Sequence, residues 1–217
     1  MQRSEIFCVG EYYHIYSRGV DKRFIFRNNY DKARFQKCLY IFNGTEKIQY
    51  ERVINTALSD VDKGNDLVEV GAYCLMDNHF HILVKEITEG GISKFMSKLL
   101  TSYSLYFNKI SKRSGALFQG RFQSKYVDKD EYLKYLFAYI HLNPAKLVDK
   151  DWRTHERDAK KIFSFLEDYK FSSFKDYQGI KRAENLILTK ENFPEYFNKK
   201  NSHEDFILNW LDNEPSI

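Results

Sequence analysis

Two apolar patterns, Leu67–Met76 and His79–Lys85, are separated by Asp77-Asn78 alone. A connection that short joins two strands only as an antiparallel hairpin, so the rest of the fold has to be added at the edges or faces of this pair. Upstream, Tyr12–Ser17 alternates as a strand and Arg18–Lys22 reads as a turn. Tyr30–Phe42 then carries Ala33, Phe35, Cys38, Leu39 and Phe42 at helical spacing, with Gly44 placed to end the helix. Downstream, Ile92, Phe95, Met96, Leu99, Tyr103, Tyr106, Phe107 and Ile110 form a long helical stripe, with Tyr103 and Tyr106 as core. Leu117–Val127 alternates again, Phe118, Phe122 and Tyr126 on one side and Gln119, Arg121, Gln123 and Lys125 on the other. The order β-α-β-β-α-β predicts an α+β, ferredoxin-like split βαβ fold. Both helices then cover one face of a four-stranded antiparallel sheet and leave the other face open.

A third helix is expected over Asp130–Leu142, with Leu133, Leu136, Phe137 and Ile140 as its apolar stripe and Asp128 or Asp130 as its cap. Tyr132, Tyr135, Tyr139 and Asn143 follow one flank, and Pro144 sets Asn143 at the helix end. Beyond Val148, Trp152, Phe163, Phe165, Leu166, Phe171, Phe174, Phe206, Ile207, Trp210 and Leu211 predict a helical extension packed on the rest. The expected division is therefore 1–150 and 151–217. Thr45–Asp66 reads as a polar insertion with a short helix around Val53–Leu58.

A chain of 217 residues with 43% hydrophobic content supports one substantial core, and three Pro and ten Gly leave no flexible linker. Cys8, Cys38 and Cys74 are odd in number and widely spaced, which excludes a disulfide framework and a zinc ribbon. Met1–Ile6 lacks an apolar signal region and no apolar run is long enough to span a bilayer, so a soluble cytoplasmic protein with no membrane partner is expected. The net charge of +4 decides nothing by itself, but Gly91–Val127 contains no Asp or Glu while interleaving lysines and arginines with aromatics. That pattern suits phosphate neutralisation with base stacking, and equally a solvated basic face.

The histidine strand carries the chemistry. His79 and His81 share a face with Leu83 and Lys85, while Phe80, Ile82 and Val84 turn toward a core. The strand thus offers two imidazoles without losing its packing side. A divalent ion fits this pair, and so do two hydrogen-bonded histidines with no ion. His14 reads as a structural or substrate-contact residue. Arg18, Lys22, Arg23, Lys112, Arg113, Arg121 and Lys125 are candidate phosphate contacts, and each reads equally well as a simple surface charge.

The runs Met76-Asp77-Asn78-His79-Phe80-His81, Tyr106-Phe107-Asn108, Gly115-Ala116-Leu117-Phe118-Gln119-Gly120-Arg121-Phe122 and Tyr139-Ile140-His141-Leu142-Asn143-Pro144 appear in this order. Together they resemble the single-tyrosine transposases of the HUH endonuclease superfamily, most of all the REP-associated tyrosine transposases. The resemblance covers about residues 10 to 150. It implies a ferredoxin-like enzyme that cuts single-stranded DNA, often beside a hairpin, and rejoins the ends. It further implies His79, His81 and Asn143 as ligands of a divalent metal, and Tyr139 as the nucleophile. Two imidazoles and one amide oxygen favour zinc by intrinsic affinity, but they leave positions for oxygen donors, and Mg or Mn is the expected ion. Asp77 stands where relatives commonly have Pro, and Ala145-Lys146-Leu147-Val148 is a looser match. A free phenol ionises near pH 10, so a tyrosine nucleophile needs a base, a positive field or an activated phosphate. Tyr135, one turn before Tyr139, falls outside the motif, and His141 lies on another helical face. Two other outcomes stay open: a non-catalytic module binding hairpin DNA or RNA, and a hydrolase that uses water. A homodimer in which the tyrosine helix serves the partner's histidines is equally compatible with the resemblance.

Overall fold

Four strands, β1 (Tyr12–Arg18), β2 (Val68–Met76), β3 (His79–Glu86) and β4 (Gln123–Val127), form one antiparallel sheet in the order β2-β3-β1-β4. The computed structural model describes residues 6–153, 157–197 and 200–213; Met1–Glu5, in the stretch read for a signal, and the end of the C-terminal extension lie outside them. Helices α1 (Asn29–Phe42) and α2 (Gly91–Ile110) pack on one face of the sheet. Tyr13, Ile15, Phe80, Ile82 and Val84 meet Phe35, Leu39, Phe95, Leu99 and Tyr103 there. This is the expected split βαβ arrangement. The Asn28 carboxamide caps α1 by accepting from the Asp31 backbone N–H at 3.0 Å. The Tyr103 hydroxyl donates to the Ile25 carbonyl at 2.7 Å, and the Arg34 guanidinium lies 3.7 Å from the Tyr50 ring centroid and 3.9 Å from that of Tyr106.

Local elements depart from the sequence pattern where side chains override it. α1 itself ends as expected, at Phe42 with Asn43 as its cap and Gly44 directly after it, and the Asn43 carboxamide accepts from the backbone N–H groups of Leu67 and Val68 and donates to the Val68 carbonyl at 2.9 Å. Within the insertion, single 3-10 turns at Tyr50–Arg52 and Leu58–Asp60 replace the expected helix. The expected strand over Leu117–Val127 begins only at Gln123. Phe118 bridges to Gly19, and Gly120, at φ +70°, turns the chain before pairing resumes. Neither expected aspartate caps the third helix. Lys129 occupies the cap position without a side-chain bond, and the Asp130 carboxylate accepts from the Tyr196 hydroxyl instead.

The larger difference concerns the second face of the sheet, which is mostly covered. Helix α3 (Asp130–Leu142) lays Leu133, Leu136, Phe137 and Ile140 over Ala72, Cys74, Met76, Leu83 and Val127. These strand residues are too apolar to leave in water, and each large side chain buried there contributes about 1.5–3 kcal/mol. Gly71, at a bulge in β2, lets the Phe193 ring approach to where a Cβ would stand 2.5 Å from it. Beyond α3 follow α4 (Ala159–Asp168), α5 (Phe174–Tyr177) and α6 (Lys200–Asn213). Ile162, Leu166, Phe174, Ile207 and Leu211 cluster with Ala138 and Leu142 of α3. The same segment covers the outer edge of β2. Leu75 N–H donates to Phe171 O at 2.9 Å, Ser173 N–H to Tyr73 O at 3.0 Å, and Thr189 N–H to Val70 O at 3.0 Å. An edge so paired is closed to further strands.

All three cysteines are free, and burial pushes the thiols of Cys38 and Cys74 up to about 12. Among the described residues no helix is long and apolar enough to cross a membrane.

Phe137→Ala is expected to lower the unfolding free energy by about 3–5 kcal/mol in urea titration, because it empties the centre of the α3–sheet contact. A loss below 1 kcal/mol would mean that α3 is not held by this packing.

Candidate active site

Beside the C-terminal end of α3, where β3 begins, lies a cleft of about 690 Å³. His79, His81 and Arg18 line it from the strands, and Tyr139 and Lys146 from the α3 side. Tyr16, Ser17, Gln119 and Gln123 complete its wall. The alternation of β3 directs both histidines here, as the sequence predicts, because Phe80 and Ile82 take the opposite core.

The Tyr139 ring stands edge-on to His81, with centroids 5.3 Å apart, and edge-on to His14 at 5.8 Å. One turn later Asn143 directs its Oδ1 to within 3.4 Å of His79 Nε2. Pro144 does not break the helical geometry at Asn143, which keeps φ −55° and ψ −36°; the chain passes directly into a 3-10 turn over Asn143–Leu147. That turn brings Lys146 back so that its Nζ donates to His79 Nε2 at 3.2 Å.

Each imidazole is oriented by a second contact. His79 Nδ1 donates to Asn78 Oδ1 at 2.6 Å, which leaves Nε2 as a lone pair. His81 Nδ1 lies 2.9 Å from His14 Nε2, one nitrogen donating to the other. Burial lowers His79 to about 4, with the Lys146 charge adding to it, lowers His14 to about 4, and takes His81 well below its ordinary value. All three rings are therefore neutral at pH 7, the state in which imidazole binds metal.

Whether this set suits a cation follows from the lone pairs. His79 Nε2 and Asn143 Oδ1 face each other with no proton of their own between them, because the His79 proton is engaged by Asn78. Two acceptors so placed are stabilised by positive charge, which the Lys146 ammonium supplies in part. Among the described residues no group of three or more His, Cys, Asp or Glu side chains is placed to hold an ion. The donors that would fit one are two imidazoles and an amide oxygen, which leave coordination positions for oxygen ligands.

The other predicted residues are scattered. Of the seven basic candidates only Arg18 lines the cleft. Arg113 is tied to Asn108 Oδ1 at 2.5 Å and to the Ala116 carbonyl at 2.9 Å, holding the loop after α2. Arg23 donates to the Val20 carbonyl at 3.1 Å, and Lys125 lies 4.3 Å from the Tyr132 ring centroid. Lys22, Lys112 and Arg121 are exposed. Tyr135 packs against Trp210 with centroids 5.1 Å apart. His141 points away, its Nδ1 3.0 Å from His203 Nε2 and its Nε2 2.8 Å from Ser173 Oγ. Lys146, Gln119, Gln123, Tyr16 and Ser17 belong to the cleft but not to the predicted set. The i, i+4 glutamines on one side of an alternating segment were the available signal for two of them.

A family model described as an IS200-like transposase matches residues 11–143. Among solved structures, the chain is similar to a REP-associated tyrosine transposase bound to a REP hairpin, at 14% identity. That alignment covers 85% of this chain and 90% of the other, with a TM-score of 0.46. No curated protein matches the sequence significantly.

Five buried imidazoles, His14, His79, His81, His141 and His203, are all lowered by burial. The unfolded chain takes up their protons below about pH 6.5 and the folded chain does not, so stability is full above that pH and falls as pH drops toward 4. Urea midpoints are expected to be level from pH 8 to 7 and to decline steeply below 6.5, each imidazole contributing up to about 1.4 kcal/mol per pH unit. A flat profile to pH 5 would contradict the neutral, buried assignment.

Proposed function

The chain belongs to the IS200-like transposase family, and on that premise we propose that it nicks single-stranded DNA at hairpin-associated sites and transfers the strand through a covalent 5′-phosphotyrosine at Tyr139. The observation that carries this reading is the approach of Tyr139 to His81, with Asn143 one turn further facing His79. In this reading the chemistry belongs to residues 1–150, and α4, α5 and α6 within 151–217 brace α3.

In this reading His79, His81 and Asn143 hold a divalent ion, Mg²⁺ or Mn²⁺. When bound, it supplies Lewis-acid stabilisation of charge on a non-bridging phosphate oxygen. The Asn78 and His14 contacts fix the ligand rings, so little reorganisation is needed as charge develops. Arg18 and Lys146 line the same cleft and offset the charge of the DNA phosphate. Tyr139 gives its phenolic proton to water in the cleft as its oxygen bonds to phosphorus. The P–O3′ bond breaks, and the 3′ oxygen leaves as a hydroxyl after taking a proton from water. The phosphotyrosine ester conserves the bond energy, so a 3′-hydroxyl later displaces the tyrosine without a nucleotide cofactor.

Labelled hairpin DNAs with single-stranded flanks, incubated with Mn²⁺ or Mg²⁺, are expected to give a protein–DNA band on a denaturing gel. Tyr139→Phe should abolish the band, and His79→Ala should reduce it at least about a hundredfold, the order lost when a transition-state electrostatic contact is removed. A band that survives Tyr139→Phe contradicts the nucleophile, and cleavage without a band favours water. Bound but intact DNA favours a binding module.

A further inference from the structure

Gln123 on β4, Tyr16 on β1 and His81 on β3 are successive cross-strand partners, and all three border the cleft. Adjacent strands lie about 4.8 Å apart, so the row from His81 to Gln123 spans roughly 10 Å. That is comparable to the reach of one nucleotide from its phosphate to the edge of its base. The Tyr16 ring sits in the middle of the row, 5.9 Å from the His81 ring and 37% exposed. Gln119 is fixed beside it by the loop that pairs with the end of β1, where the Gln119 backbone N–H donates to the Arg18 carbonyl at 2.8 Å. Both glutamines are exposed, and among the described residues neither carboxamide has a hydrogen-bond partner.

The two carboxamides are unengaged, and the Tyr16 ring, set against His14 at 5.1 Å between centroids, stays partly exposed. They form a good seat for a nucleobase: the ring face takes a base by stacking, and a carboxamide sets a donor beside an acceptor, the pair that matches the N6 and N7 edge of adenine. We propose that Gln119 and Gln123, with Tyr16 as the stacking platform, read one unpaired base adjoining the phosphate that the histidines address, and so set the sequence at which the strand is cut. This rests on the nicking reading and adds to it the source of base selectivity.

The test scores base preference without cleavage. Tyr139→Phe protein is incubated with a pool of hairpin DNAs bearing randomised single-stranded tails, and the bound fraction is sequenced. One base, with adenine expected, should be enriched about ten- to a hundredfold at a single tail position. Gln119→Ala/Gln123→Ala should flatten that position and leave the rest of the profile intact. Gln119→Glu/Gln123→Glu should move the preference toward cytosine, whose N4 amino group donates to a carboxylate. An unchanged profile, or equal loss at every position, overturns the proposal. The nicking reading fails by a different result, the absence of covalent product when Tyr139 is intact. Capture of no DNA at all overturns both.

Discussion

The contact on which the rest depends is the packing of α3 on the second face of the sheet. Leu133, Leu136, Phe137 and Ile140 fix the rotation of that helix against Ala72, Cys74, Met76 and Leu83. With the rotation fixed, the helical repeat leaves Tyr139 and Asn143 one turn apart over His81 and His79. His141 anchors the buried side of α3 through Ser173 and His203, and Gln178 donates to His203 Nδ1 at 2.8 Å. Packing thus does the positioning, and the polar groups need only be short.

Electrostatics follow from the same burial. A covered face lowers every imidazole near the cleft and keeps lone pairs, rather than positive charge, directed into it. Lys146 and Arg18 at the same cleft supply the positive field. A neutral donor set bordered by fixed cations suits an anionic phosphate, which would meet less favourable surroundings if acidic side chains lined the cleft.

Much of this was legible in the sequence because the signals are local. The two-residue connection at Asp77-Asn78 dictates the hairpin, and the stripes of α1, α2 and α3 dictate three helices. The alternation of β3 gives the outward histidines. What was not legible depends on contacts distant in sequence. Asn43 ties the end of α1 to residues more than twenty positions away, Gly120 delays β4, and Tyr196 takes the aspartate that the pattern assigns to a cap. The covering of the second face follows from Leu83 and Cys74 lying beside the histidines, a clue that a motif centred on His79 and His81 does not expose. Lys146 enters only because the 3-10 turn after Asn143 folds back, which Pro144 by itself does not predict.

The most direct measurement is peptide mapping of the covalent DNA adduct. After incubation with hairpin DNA and Mn²⁺, nuclease and protease digestion followed by mass spectrometry should find a 5′-linked nucleotide on the peptide holding Tyr139, and on no other. A nucleotide on Tyr135, or cleaved DNA carrying free 5′-phosphate with no modified peptide, would contradict the account.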